Sequence, residues 1–218
     1  MCRDNPRNGE GLVAMSDTRV YRFSGVARAI LHRARRYIWK MIFGWRYMEL
    51  GRNCMVVKPI LVTPRFIKLK DRVIIHAHGR VQGITSYQGV RYAPEIIFDQ
   101  GSSAQQSLHL TCAERVYIGK ETALAANVTI SDIDHPYEDV DTPIEKQPLR
   151  VAPTSIGDGC KIYNNAVILP GTTIGDHCVV GANSVVSGSF DSFSVIVGAP
   201  ARTVKRYDAS RKTWVRVP

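Results

Sequence analysis

The chain has 218 residues, 44% of them hydrophobic, which suffices for one domain with a buried core, and it carries no low-complexity tract. No run approaches the roughly 18 to 20 uninterrupted apolar residues of a membrane span, and the polar N-terminus lacks the apolar stretch of a secretory signal, so a cytoplasmic protein is expected. The net charge of +10 is concentrated: between Arg19 and Met48 stand Arg19, Arg22, Arg28, Arg33, Arg35, Arg36, Lys40 and Arg46, with no Asp or Glu.

Residues 1–18 are polar and read as a loosely attached N-terminus. Residues 19–49 form a basic segment whose pattern from Val26 to Trp45 is helical. At about 100° per residue, Val26, Ile30, Leu31, Ala34, Tyr37, Ile38, Met41 and Trp45 fall on one arc, and Arg28, His32, Arg33, Arg35, Arg36 and Lys40 on the other. Two readings stay open for this amphipathic helix: packing on its own domain, or lying on an anionic membrane surface.

Beyond Leu50 large residues recur every six positions, at first as Leu50, Val56 and Val62, then Leu69, Ile75 and Val81. A break containing Gly83, Tyr87, Gly89 and Pro94 follows. Phe98, Ala104, Leu110 and Val116 resume the count, and Ile118, Leu124 and Ile130 continue it two residues out of phase. From Ile156 the spacing is strict through Ile162, Ile168, Ile174, Val180 and Val186. A period of six fits neither a helix nor a plain alternating strand, and points to an all-β solenoid, a parallel β-helix, over residues 50–187. The polar stretch 132–155 interrupts the count and is expected to project as a loop, where solenoids carry function. Residues 188–218 are expected to cap the open end.

Five cysteines, with no CxxC pair, fit neither a zinc knuckle nor a disulfide framework. Cys160 and Cys178 lie one full coil apart, so they should stack as small core thiols about 4.8 Å apart, a geometry poorly suited to a disulfide. His76 and His78 form an H-x-H, but no third ligand stands at a matching spacing, and no metal is expected.

Two stretches extend beyond the repeat. The segment IGKETALAANVTISDIDHPYED resembles the sugar O-acetyltransferases of the hexapeptide-repeat acyltransferase superfamily, both galactoside or maltose and polysaccharide (O-antigen or capsule) types, in which a His-Pro follows an Asn-Val-Thr-like coil. The segment GDHCVVGANSVVSGSFDSFSVIVGAPARTVKRY resembles the last coils and Gly-x-Pro-x-Arg turn of the same enzymes. The resemblance implies a left-handed β-helix, acetyl-CoA as co-substrate, and a homotrimer with active sites between subunits. It marks His135 as the catalytic residue. An imidazole of unperturbed pKa about 6.5 suits a base that must take a proton from a sugar hydroxyl near neutral pH.

The family's acceptor-contacting Asn aligns with Gln105, which becomes a candidate acceptor ligand together with Asp132 of the acidic group around His135. Asn164, Ala182, Ser187, Arg202 and Lys205 match the positions that contact coenzyme A, the two cations suiting its phosphates. The expected function is O-acetylation of a saccharide, in a surface polysaccharide or its lipid-linked precursor at the inner face of the membrane. The alternative is N-acylation of a nucleotide-linked amino sugar. No nucleic-acid motif accompanies the basic segment, and no such partner is expected.

Overall fold

The computed structural model describes residues 25–217, with side chains from Ala34 onward. The expectations for residues 1–18, and for Arg19 and Arg22, lie outside the described residues. After a helix over Gly25–Phe43 and a 3-10 turn at Gly44–Arg46, the chain winds into a three-sided coil of very short strands. Each turn contributes one strand to each of three parallel sheets, of seven, nine and six strands; the last two strands of the nine-stranded sheet run antiparallel. This is the three-sheet architecture of a left-handed β-helix.

The six-residue count becomes three ladders inside the prism. Leu50, Leu69, Phe98, Ile118, Ile156, Ile174 and Phe190 stack in register on the first sheet. Val56, Ile75, Ala104, Leu124, Ile162, Val180 and Ile196 stack on the second. The third holds Val62, Val81, Leu110, Ile130, Ile168 and Val186. Nearly all are fully buried, and burying each aliphatic side chain contributes roughly 1.5–3 kcal/mol. The phase shift between Val116 and Ile118 disappears in three dimensions, because both point inward from one strand, Arg115–Ile118.

Corners follow from the residues placed there. Asn127, Asn165 and Asn183 hold φ of 58°, 60° and 57° in successive coils, the left-handed region that Asn tolerates. Their side chains form a ladder, Asn127 Nδ2 donating to Asn165 Oδ1 (3.2 Å) and Asn165 Nδ2 to Asn183 Oδ1 (3.0 Å). At another corner a Cβ on Gly157 would lie 2.7 Å from the carbonyl carbon of Gly175 in the next coil, so the coils close only around glycine.

Two features differ from expectation. The coil runs past Ser187: Phe190 follows Val186 by four residues instead of six, which hides the repeat, yet Phe190 and Ile196 complete a further turn. The chain then folds back as antiparallel strands Ala201–Asp208 and Thr213–Arg216, covering the edge of the second sheet. The helix, too, seats differently. Its contact with the coil is made by Trp39, which packs on Phe43 and Tyr47 with ring centroids 5.9 and 5.6 Å away, and by Lys40, whose Nζ donates to the carbonyls of Leu50 and Gly51. Of the apolar arc, Tyr37, Ile38, Met41 and Trp45 stay exposed, Trp45 to 81%.

Cys160 and Cys178 stack in adjacent coils as expected, the amide of Cys178 approaching Cys160 Sγ at 3.4 Å, and the four cysteines of the described residues are buried free thiols.

Candidate functional site

Both interruptions of the repeat leave the prism at one edge, where the third sheet hands over to the first. The first, after Arg80–Gly83, is a small hairpin of Ser86–Tyr87 against Val90–Arg91. The second leaves after Thr129–Ser131, with Ile133–Asp134 pairing antiparallel to Arg150–Val151 as a stem. His135 is the first residue beyond that stem, so a two-residue ladder attached to the rigid coil fixes where its backbone points.

The two insertions hold each other. Tyr87 donates its hydroxyl to the Glu145 region, where carbonyl and carboxylate oxygens lie 2.8 and 2.7 Å away, and Gln88 Nε2 donates to the same carbonyl at 2.7 Å. The amide of Leu149 donates to the Tyr92 hydroxyl at 3.0 Å. Within the loop, Gln147 is buried and donates to the carbonyls of Asp139 and Thr142. Arg150 pairs with Glu138 at 2.7 Å, and this bond holds the Glu138 carboxyl below its ordinary range.

His135 itself is half-buried and meets the Tyr87 ring edge-on at 5.5 Å between centroids. Its backbone N–H donates to Asp134 Oδ1 at 3.0 Å, while Nδ1 is sealed from solvent without a hydrogen-bond partner among the described residues. Nε2, in contrast, is neither sealed off nor hydrogen-bonded within the described residues. From sequence alone Tyr87, Gln88 and Tyr92 have no role, although Tyr87 falls in the first break of the repeat. The only signal was that both breaks fall at the same point of the count, after a third-sheet strand.

Asp132 requires a correction. Expected beside the acceptor, its carboxylate is fully buried and turned into the wall of the coil. Oδ1 accepts the amide of Ala113 (2.8 Å), and Oδ2 accepts the amides of Glu114 (2.8 Å) and Arg115 (2.7 Å) and the Cys112 thiol (3.3 Å). It closes the turn of the preceding coil. Burial, with Asp132 beside it, pushes the Cys112 thiol strongly up, keeping it a donor.

The remaining candidates divide between two edges. Hydrogen bonds place Gln105, Ala125, Tyr163 and Gly181 above one another at the edge where the second sheet passes to the third. Asn164 and Ala182 are exposed there in consecutive coils, with the amide of Asn183 donating to the Asn164 carbonyl at 3.0 Å. Arg202 pairs across from Val197, the residue a Cβ on Gly181 would strike, so Arg202 continues that edge upward. Lys205, opposite Val195, is exposed on the same strand. Ser187, in contrast, lies on the His135 edge, two coils above Ser131. Within one chain the third sheet separates His135 from Gln105, Asn164 and Ala182. His76 and His78 are both exposed, and no group of three or more His, Cys, Asp or Glu gathers as a metal site among the described residues.

Residues 153–188 match the family described as bacterial transferase hexapeptide (six repeats). The chain is 35% identical over 170 residues to the protein named Putative lipopolysaccharide biosynthesis O-acetyl transferase WbbJ of Escherichia coli (strain K12), spanning 75% of this chain and 84% of that relative. Galactoside O-acetyltransferase of the same organism is 32% identical over 130 residues, covering 56% of this chain and 63% of the relative, less than two thirds of its length. Among solved structures, AntD, an N-acyltransferase from Bacillus cereus in complex with dTDP and 3-hydroxybutyryl-CoA, superposes with a TM-score of 0.65 at 15% identity, over 79% of this chain and 89% of that one. At that identity the likeness is one of fold. The chain belongs to the hexapeptide-repeat acetyltransferases.

Proposed function

We propose that this acetyltransferase moves an acetyl group from acetyl-CoA to a hydroxyl of a saccharide, in a surface polysaccharide or its lipid-linked precursor, with His135 as general base. The observation that carries this reading is the seat of His135. It stands at the head of a stem anchored in the coil, braced by a second insertion, with Nδ1 buried and Nε2 left for a substrate. Nε2 takes the proton of the acceptor hydroxyl as its oxygen attacks the thioester carbonyl carbon. The thiol of coenzyme A leaves and carries the proton away, and no acyl-enzyme is formed. General-base assistance of this kind contributes about 10²–10⁴-fold.

The edge of Asn164 and Ala182 suits an extended pantetheine arm, because it exposes small side chains and backbone over consecutive coils. Arg202 and Lys205 stand where phosphates would follow, and neither enters an ion pair among the described residues. Ser187 and Gln105 remain proposed contacts for donor and acceptor. Because His135 and the Asn164 edge flank the whole third sheet, a complete site needs edges of two copies to meet, which supports a homotrimer. The exposed apolar arc of the helix, with its cations, supports contact with an anionic membrane face; no described helix is long and apolar enough to cross one.

The test is a screen of acetyl-CoA against free sugars, nucleotide sugars and lipid-linked oligosaccharides, read by thiol release. Transfer to a saccharide hydroxyl yields an alkali-labile ester. An alkali-stable product on an amino sugar means N-acylation instead, and a His135→Ala variant working at the wild-type rate overturns the mechanism.

A further inference from the structure

Between the helix and the open end of the first coil lies a cleft of about 420 Å³, within the usual range of small-molecule sites of about 300–1,000 Å³. It is remote in the fold from His135: its walls come from the helix, the turn after it and the strands Met55–Val56 and Leu61–Val62, whereas the stem of His135 leaves three coils further on. Trp39, Phe43 and Tyr47 form one wall, and Met55, Val56 and Val62 the other. Burial there pushes the Tyr47 phenol up to about 12, as an apolar interior requires. Three cations stand on the lining, Arg35, Arg46 and Lys58, with no carboxylate among them, and none of the three forms an ion pair within the described residues.

An apolar slot lined by three unneutralised cations and no acid is complementary to an anionic amphiphile, such as a hydrocarbon chain ending in phosphate. A purely apolar occupant leaves the cations without counter-charge, and a free phosphate leaves the aromatic wall in water. We propose that this cleft binds the phosphate end of the lipid carrier on which the acceptor saccharide is built, with the adjoining stretch of its hydrocarbon chain. The chain would lie against Trp39 and Phe43, and the phosphate would meet Arg35, Arg46 and Lys58. Tyr37, Ile38, Met41 and Trp45, exposed on the same helix and turn, would bring the cleft to a membrane surface from which such a lipid is drawn. The proposal rests on the reading of a lipid-linked acceptor and adds a place where the carrier, as distinct from the sugar, is recognised.

The test is calorimetric titration of the full chain with geranyl phosphate, geraniol and inorganic phosphate, none of which requires acetyl transfer. Geranyl phosphate is expected to bind at least tenfold more tightly than either of the others. The double variant Arg46→Gln, Lys58→Gln is expected to lose at least tenfold in affinity for it, with an unchanged thermal melt. Geraniol binding as tightly as geranyl phosphate, or a double variant binding like wild type, overturns the proposal by removing the role of the cations. No binding of geranyl phosphate to the full chain overturns it as well, the cleft then being filled by protein. Tight, cation-dependent binding in a protein that acetylates no lipid-linked saccharide supports the cleft and overturns only the acceptor reading.

Discussion

Asp132 and His135 stand three residues apart, and the structure separates their tasks. Proximity in sequence makes every carboxylate of the group around His135 look available to the imidazole or the acceptor. The coil turns Asp132 inward, where three backbone amides and a thiol saturate it. Asp132→Ala leaves those amides buried and unpaired, and should cost about 3 kcal/mol, a fall of roughly 6–12 °C in thermal melts of a chain this size. An unchanged melting temperature contradicts the assignment. Tyr87 is the reverse case, a residue with no role in the sequence reading that touches both His135 and the loop beyond it. Tyr87→Phe keeps the ring on the imidazole and removes the bonds at Glu145. It should lower kcat about threefold to tenfold, equivalent to about 0.5–1.5 kcal/mol, and leave the KM for acetyl-CoA unaltered. A change confined to KM contradicts a positioning role.

At the scale of elements, the stem that carries His135 is only two residue pairs long, and depends on Arg150 with Glu138 and on the hairpin that braces it. The Glu138 carboxyl is held below its ordinary value, so the pair contributes fully at neutral pH. That contribution is lost only as pH falls through the depressed value, below the ordinary carboxylate range. Hydrogen exchange of residues 133–151 should therefore be constant from pH 7 down to the ordinary range once corrected for intrinsic rates, and should rise below it. Glu138→Gln should reduce that rise, leaving the part due to Asp139, whose carboxyl the Thr142 side chain and the Asp141 amide also hold below its ordinary range. The ladders were legible because burial has the same period as the chain. Tyr87 was not, because it meets His135 only where two breaks leave one edge of a solid prism. The helix was legible in extent, Gly25–Phe43 against the expected Val26–Trp45, but not in orientation. An amphipathic pattern says that one face is apolar, and the seating of Trp39 and Lys40 decides which way that face looks.

At the scale of the whole molecule the coil is a scaffold whose coils share one core, so a cavity in it should be felt throughout. Ile162→Ala, at the middle of the second ladder, should lower stability by about 2–5 kcal/mol. Function lies elsewhere, in what the scaffold presents at its edges. It is tested most directly by incubating the full chain with acetyl-labelled acetyl-CoA and a lipid-linked oligosaccharide, and following label that alkali releases from the saccharide. The wild-type chain should yield alkali-labile acetyl groups, with a loss of at least about 100-fold in His135→Ala at an unchanged thermal melt. Label held in an alkali-stable amide, or a His135→Ala variant that esterifies at the wild-type rate, contradicts the proposed function.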